Sequence, residues 1–453
     1  VTQPNIVLIL ADQLRRDALE AWMPNLVQLA GESGTRFANA YCASPLCQPG
    51  RVSLVTGMYP SQTGVCGNQS EPVPATLRDD TFMHHLQEAG YFTALIGKHH
   101  FIDRYGIAMD LAGDDAEIGR YGFDRVFQVA VDGQATEDEY SHYLREKGLH
   151  EEYWEAEHRS ARACGPHPLP VGESADGFIA LNGIRFIEEH ARGQPFYLNL
   201  SFVGPHPPYW HPGELYVDPD RVPGPIGVPD TLATRERRAH YMQKCRLIDD
   251  LVARFVGALA QHGLLDNTVV IFTSDHGDNL GDFGIWDKRF FYEASAGVPM
   301  LILGRGVPRQ TRGNGPRVSK LLVSHLDLYP TVLALAGVDM PRDRRRPGID
   351  LLSQLAGSPR DRHSAVFAEL ATSAMIRTAN WKLVFDPEQG GVQHLYNMVV
   401  DPMEQHNLAG VAGYESVTLE LVQQLLASRI MRTQYTHVKE EQRLQRVCVR
   451  YRA

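Results

Sequence analysis

The segment Cys47-Gln48-Pro49-Gly50-Arg51, continued by Val52-Ser53-Leu54-Val55-Thr56-Gly57, brings a nucleophilic sulfur and a fixed cation together between two helix punctuators. Pro49 suits a first helical turn and Gly57 a helix end, which places Cys47 at a helix N-terminus facing the positive end of the dipole. Such a terminus also favours an oxyanion. Taken alone, the segment reads equally well as a buried cysteine preceding a helix. Elsewhere, polar groups able to bind a metal or move a proton come directly after apolar runs. They are Asp12 with Gln13, Lys98 to His100, His206, and Asp275 with His276. One functional group at the end of each run is more than chance placement usually gives.

The elements that must position these groups alternate along the chain. Asn5 to Ala11 is a continuous apolar run of strand length, followed by a turn and a helix from Met23 to Glu32. A helix before Gly90 feeds the run Phe92 to Ile96, and a helix ending near Ala191 feeds Pro195 to Phe202. A long helix through Ile248 to His262 precedes Thr268 to Thr273. Apolar runs alternating with helices are the pattern of a parallel sheet covered on both faces. The expected fold is therefore a doubly wound, mostly parallel α/β sheet flanked by helices. In such sheets ligands gather beyond the carboxyl ends of the strands, where these polar groups fall.

The stretch 101–172 is rich in Gly, Asp, Glu and Tyr and weak in periodicity, and reads as an insertion that shapes a substrate pocket. From about Arg362 the pattern shifts to short segments, Ala365 to Glu369, Met375 to Arg377 and Lys382 to Phe385, with a helix from Ser416 to Ser428. This is a small antiparallel sheet with a helix. The expected division is a catalytic domain over 1–360 and a small α+β domain over 361–453.

The CxPxR pattern at Cys47, Pro49 and Arg51, with Leu54-Val55-Thr56-Gly57 downstream, resembles the hallmark of the sulfatase family. A second stretch, Gly90-Tyr91 leading to Gly97-Lys98-His99-His100, resembles the other hallmark of that family. The likeness continues through Pro205-His206-Pro207, Ser274-Asp275-His276-Gly277 and Leu395-Tyr396-Asn397 to Asp401-Pro402, and so covers most of the chain. The resemblance implies that Cys47 is oxidised to formylglycine by a formylglycine-generating enzyme and that Arg51 holds that residue. Two departures are visible. Gln48 and Gly50 stand where Ser, Thr or Ala is usual, and Asp12-Gln13 replaces a pair of acids. The latter, with Asp275-His276 and Lys288, looks more like the branch of phosphonate monoester hydrolases and choline sulfatases.

On this footing Asp12 and Asp275 supply anionic oxygen, Gln13 a neutral oxygen and His276 a nitrogen to one divalent ion, with the modified Cys47 completing the set. A mostly oxygen site suits Ca2+, and the imidazole also allows Mn2+; Ca2+ is expected. An aldehyde at residue 47 hydrates to a geminal diol. One hydroxyl attacks sulfur or phosphorus to give a covalent ester, and the other then loses its proton so that the aldehyde re-forms and sulfate leaves. His100 is the candidate base for that collapse. Lys98 and Lys288 are assigned to the oxygens of the transferred group, Arg51 to residue 47, and His206 to the leaving-group oxygen as general acid. Asn68 reads as a substrate or metal contact or as a turn residue. Lys98 and Lys288, taken without this context, would be solvated surface lysines.

Composition bounds the partners. The chain has 453 residues with 43% hydrophobic and 22% charged side chains, as in an ordinary globular protein. A formal charge of -10 argues against nucleic acid, and no run of about 18 apolar residues predicts a membrane span. Arg342, Arg344, Arg345 and Arg346 read as a solvated loop. The six cysteines lack CxxC spacing and suggest neither a structural zinc nor a disulfide scaffold. No basic-then-apolar leader precedes Ile6, so the expected location is cytoplasmic, or periplasmic where a leader has been removed. The tail Val447 to Ala453 suggests a homo-oligomer contact. The expected function is hydrolysis of a small sulfate monoester. The alternatives are a phosphonate monoester or phosphodiester hydrolase on the same site, and an inactive metal-binding homologue in which Cys47 stays a thiol. Alkaline phosphatase-like or phosphoglycerate mutase-like chemistry calls for a serine or threonine nucleophile, against which Cys47, Pro49 and Arg51 argue.

Overall fold

The run from Asn5 sends Ile6, Leu8 and Leu10 into one core and Val7, Ile9 and Ala11 into another. A strand apolar on both sides belongs in the interior of a sheet with helices on each face. In the computed structural model this run is β1 (Asn5–Asp12), parallel to both of its neighbours. The structure describes residues 3–68, 73–102, 111–129, 138–157, 164–190, 193–308, 317–341, 346–357 and 362–436.

The other strands in chain order are β2 (Gly34–Tyr41), β3 (Phe92–Gly97), β4 (Arg125–Gln128), β5 (Cys164–His167), β6 (Phe196–Pro205), β7 (Tyr209–Pro212), β8 (Thr268–Ser274), β9 (Met300–Gly304) and β10 (Arg317–Ser324). Eight of these form one sheet in the order β10-β2-β9-β8-β1-β6-β3-β4, and β5 pairs with β7 apart from it. Only β9 runs antiparallel to its neighbours in the large sheet. The doubly wound, mostly parallel expectation is thus met, with one reversed strand.

Six helices cover this sheet or carry the site, α1 (Pro24–Ser33), α2 (Cys47–Thr56), α3 (Phe82–Glu88), α4 (Ala175–His190), α5 (Leu232–Gln261) and α6 (Leu328–Ala336), and α7 (Glu415–Thr436) follows the second sheet. Helices α2, α3 and α6 bury Val52, Leu54, Phe82, Leu86, Val332 and their neighbours on one face of the sheet. Helices α1, α4 and α5 cover the other with Leu26, Ile179, Phe186, Ile248 and Phe255. Each such side chain contributes about 1.5–3 kcal/mol by burial. The start of α1 is capped from α5, where Asp249 accepts the backbone N–H groups of Asn25 and Leu26 at 2.9 and 2.8 Å. That satisfies donors that a helix start leaves open.

A second, four-stranded antiparallel sheet comes next: β11 (Ala365–Leu370), β12 (Ser373–Thr378), β13 (Trp381–Asp386) and β14 (Gly391–Asn397). Its alternation splits the residues cleanly. Val366, Ala368, Met375 and Val384 join the core of the large sheet, while Ile376, Leu383 and Leu395 pack under Leu421 and Leu425 of α7. Between the two sheets lies a buried ion network. The Lys382 ammonium of β13 is 3.0 Å from Glu293 and 2.6 Å from Glu404, and Glu293 also meets Arg16 and the Tyr41 hydroxyl.

Three expectations change. The segment read as an insertion supplies β4, which pairs with β3 and closes one edge of the large sheet, and three helices, 111–119, 139–147 and 150–157. Its charged and aromatic composition hides these short elements. Arg346, read with its neighbours as solvated, is buried: it donates to the Thr56 carbonyl at 2.8 Å and to Asp80 at 2.7 Å, and lies 4.4 Å over the Tyr329 ring. Arg342, Arg344 and Arg345 lie outside the described residues, as does the tail Val447 to Ala453. Finally, β2 and β10 carry Arg36, Asn39, Arg317 and Lys320 among their apolar residues, so neither reads as a strand-length apolar run.

Candidate active site and metal centre

Strand ends and one helix start converge on a single spot. Asp12 closes β1 and Gln13 follows it in the left-handed region at φ 64°. Lys98 to His100 follow β3, His206 follows β6, and Asp275 with His276 follow β8. Gly97 makes the β3 turn possible, with φ 106° and a position where a Cβ would lie 2.0 Å from the Ser201 carbonyl oxygen. Only glycine tolerates that approach. Cys47 is the first residue of α2, whose ten residues are all buried and which ends at left-handed Gly57.

Ligating atoms of Asp12, Cys47, Asp275 and His276 lie within 4.8 Å of one another. His276 Nδ1 is 2.9 Å from the Gly277 carbonyl, so it carries the proton and leaves Nε2 as the lone pair, 3.1 Å from Cys47 Sγ. Asp12 Oδ1 is buried with no hydrogen-bond partner among the described residues. An orphaned carboxylate oxygen beside an imidazole lone pair, a sulfur and a second carboxylate fits a divalent cation. The sulfur stands where the oxygens of a matured residue 47 would be.

Cations set the electrostatics. The Arg51 guanidinium reaches Asp275 Oδ2 at 2.9 Å and Asp12 Oδ2 at 3.2 Å, with the Lys98 carbonyl and Ser201 hydroxyl each at 2.9 Å. Arg51, expected on residue 47, therefore clamps the two carboxylates instead; four residues along a buried helix, its long side chain reaches past Cys47. Lys98 lies 2.6 Å from Asp12 Oδ2. Burial opposes the charge on Asp12 most strongly, but Lys98, His206 and Arg51 together outweigh it and hold the carboxyl well below the usual range. Burial likewise opposes a thiolate at Cys47, and Lys288 and His276, with hydrogen bonds from His100 and His206, reverse this and hold the thiol well below its ordinary value.

Lys288 donates to Gln13 Oε1 at 2.7 Å and to His206 Nε2 at 2.8 Å, and His206 Nδ1 is 2.6 Å from the Pro207 carbonyl. Asn68 Oδ1 accepts the Gln48 N–H at 3.3 Å beside Cys47, which makes it a helix-start partner rather than a simple turn residue. The Gln48 side chain is buried and donates to the Phe101 carbonyl at 2.9 Å. Asp12, Asp275 and His276 thus gather at Cys47, while Lys98 and Arg51 reach the carboxylates, Gln13 reaches Lys288 and Asn68 reaches Gln48.

A profile of the sulfatase family matches residues 4–338, and one described as N-sulphoglucosamine sulphohydrolase, C-terminal, matches 281–431. The chain belongs to the sulfatase family. It is 30% identical to a choline-sulfatase of Rhizobium meliloti over 90% of this chain and 82% of the relative. With an arylsulfatase of Clostridium perfringens it shares 28% over 91% and 92% of the two chains. The phosphonate monoester hydrolase of Agrobacterium radiobacter superposes with a TM-score of 0.77 at 25% identity, covering 96% of each chain. As a sulfatase the protein is a sulfuric ester hydrolase of small-molecule esters, and its family implies a metal ion and formylglycine. The branch expected from Asp12-Gln13 and Asp275-His276 is met by these relatives.

The sequence reading overlooked a supporting ring in this sulfatase. Asp278 and Asp287 accept from Gln13, Tyr209 donates to Asp278, and Ser201 helps hold Arg51. Asp278 was legible in principle, three residues past Asp275, but an acid in a polar loop carries no signal of burial. No helix among the described residues is long and apolar enough to cross a membrane.

Proposed function

We propose that the protein, matured at Cys47 to formylglycine by a formylglycine-generating enzyme, hydrolyses a small sulfate monoester through the hydrate of that residue. The observation that carries this reading is the convergence of His276, His100 and His206 on the Cys47 side chain at the start of a buried helix, ringed by Lys98, Lys288 and Arg51. Asp12, Gln13, Asp275, His276 and residue 47 would hold the metal. When bound, a divalent ion supplies Lewis acidity to the site. Ca2+ is favoured because oxygen donors predominate.

One hydroxyl of the residue 47 diol gives its proton to the neighbouring Asp275 carboxylate, and its oxygen forms the bond to sulfur while the bond from sulfur to the alcohol oxygen breaks. Lys288 and His206 face that reaction and deliver the proton the alcohol takes away. Lys98 and Lys288 meet the charge on the transferred oxygens. His100 then takes the proton of the second hydroxyl, the carbonyl re-forms, and the bond from residue 47 to sulfate breaks. Water rehydrates the aldehyde.

The likeness to a phosphonate monoester hydrolase favours a second reading, hydrolysis of phosphonate monoesters or phosphodiesters at the same site. A panel of nitrophenyl sulfate, phenylphosphonate, phosphate monoester and phosphate diester, assayed with the matured protein and Ca2+ or Mn2+, separates the two. Fastest cleavage of sulfate is expected, and a clear preference for phosphonate or diester would replace it with the second reading.

A further inference from the structure

Gln13 holds a position where its oxygen and nitrogen are not interchangeable. Its amide nitrogen donates to Asp278 Oδ2 at 2.7 Å and to Asp287 Oδ1 at 3.1 Å, which uses both N–H groups. The amide oxygen must then face the other way, where Lys288 meets it at 2.7 Å. Asp278 is itself fixed from all sides: it is fully buried and accepts the Tyr209 hydroxyl at 2.7 Å, the Leu280 N–H at 2.7 Å and the Asp287 N–H at 3.1 Å.

We infer that Asp278 is a positioning residue that, with Asp287, locks the Gln13 amide and through it aims the Lys288 ammonium at residue 47. The neutral side chain at position 13 is a consequence of the same arrangement. An acid there would place a third carboxylate against Asp278 and Asp287. Reversal of the lock has a definite outcome. With asparagine at position 278, an N–H group faces Gln13; the amide turns its oxygen toward that group and its nitrogen toward Lys288, donor against donor. Lys288 then loses the acceptor that aims it.

The inference rests on the reading that Lys288 meets the transferred group, and its test has one readout that does not. Asp278→Asn, Gln13→Glu and the double variant are compared by kcat/KM on nitrophenyl sulfate and by thermal midpoint with metal content measured. Asp278→Asn should lower kcat/KM by about 10- to 100-fold, the range for outer partners of a metal-site residue. Gln13→Glu should be worse in both activity and midpoint. In the double variant the carboxylate introduced at position 13 accepts from both Lys288 and the amide introduced at position 278, so midpoint and kcat/KM should both recover above the Gln13→Glu value. A double variant no more stable than Gln13→Glu overturns the lock, whatever the activity. Wild-type kcat/KM in Asp278→Asn overturns it as well. Should the matured wild type cleave no sulfate or phosphorus ester, the functional reading fails, while recovery of the midpoint still supports the lock.

Discussion

Nε2 of His276 lies 3.1 Å from the Cys47 sulfur while Nδ1 of the same ring lies 2.9 Å from the Gly277 carbonyl. The imidazole is thus held as a ready ligand facing the residue that is to be matured. With Cys47 kept as a thiol, the protein should bind Co2+ and develop a sulfur-to-cobalt charge-transfer band in the near ultraviolet. Cys47→Ala should abolish the band and His276→Ala should weaken binding. A titration of the unconverted protein that shows cobalt bound without the band would remove residue 47 from the ligand set.

Arg51 is the counter-charge that lets two buried carboxylates share the site. Arg51→Met should cost about 3–5 kcal/mol of stability in chelator, as expected when one partner of a buried ion group is removed. Saturating Ca2+ should recover part of that loss, because the cation and the guanidinium neutralise the same acids. Denaturant titrations with and without Ca2+ measure both; an equal loss in each would mean that the arginine acts elsewhere.

Arg346 should behave as a core residue. It ties the end of α2 to Asp80 and stacks on Tyr329. Arg346→Ala is expected to destabilise by about 2–4 kcal/mol, through loss of the Asp80 ion pair, of the bond to the Thr56 carbonyl and of packing on Tyr329. A change under about 0.5 kcal/mol would return it to the surface class.

His99 and His325 are both pushed down to about 3, chiefly by burial, with His100 and His276 respectively adding like charge. The folded protein therefore keeps them neutral. Their contribution is complete above the unfolded value near 6.5 and is lost as pH falls from there toward about 3, because only the unfolded chain takes up the protons. Each should cost about 2 kcal/mol at pH 5 relative to pH 8. Comparing the urea midpoints of wild type and His325→Leu at the two pH values isolates one of them: the variant should lose less on acidification, and a parallel loss would contradict the assignment.

Gly97→Ala should inactivate the enzyme and destabilise it by about 1–3 kcal/mol. Its φ of 106° and the 2.0 Å approach to the Ser201 carbonyl leave no room for a methyl group. Wild-type turnover in the alanine variant would show that the end of β3 can move without displacing Lys98.

How far these features were legible depends on the kind of signal each carries. Strands buried on both faces, such as β1, β6 and β8, announce themselves as apolar runs, and the polar residue after each run marks the site. Cys47, Pro49 and Arg51 carry a local grammar of helix start and nucleophile. What stayed hidden depends on long-range pairing. β9 reverses direction for reasons outside its own residues, and β4 is four residues long in a charged segment. Arg51 had the right address but a different partner, since a side chain able to pass Cys47 reaches two carboxylates that converge only in the fold. Asp278 and Arg346 look like loop charges until the burial of their neighbours is seen.

Lys382 sits wholly buried between Glu293 and Glu404, so the segment that follows Asp275 and His276 is braced by a residue of the second sheet. On the ribosome, Cys47 emerges long before that brace. At ordinary synthesis rates the interval between the two is roughly 20–70 s. During it the segment that carries Glu293 lacks its brace, whereas in the finished protein Cys47 is closed off at 1% exposure.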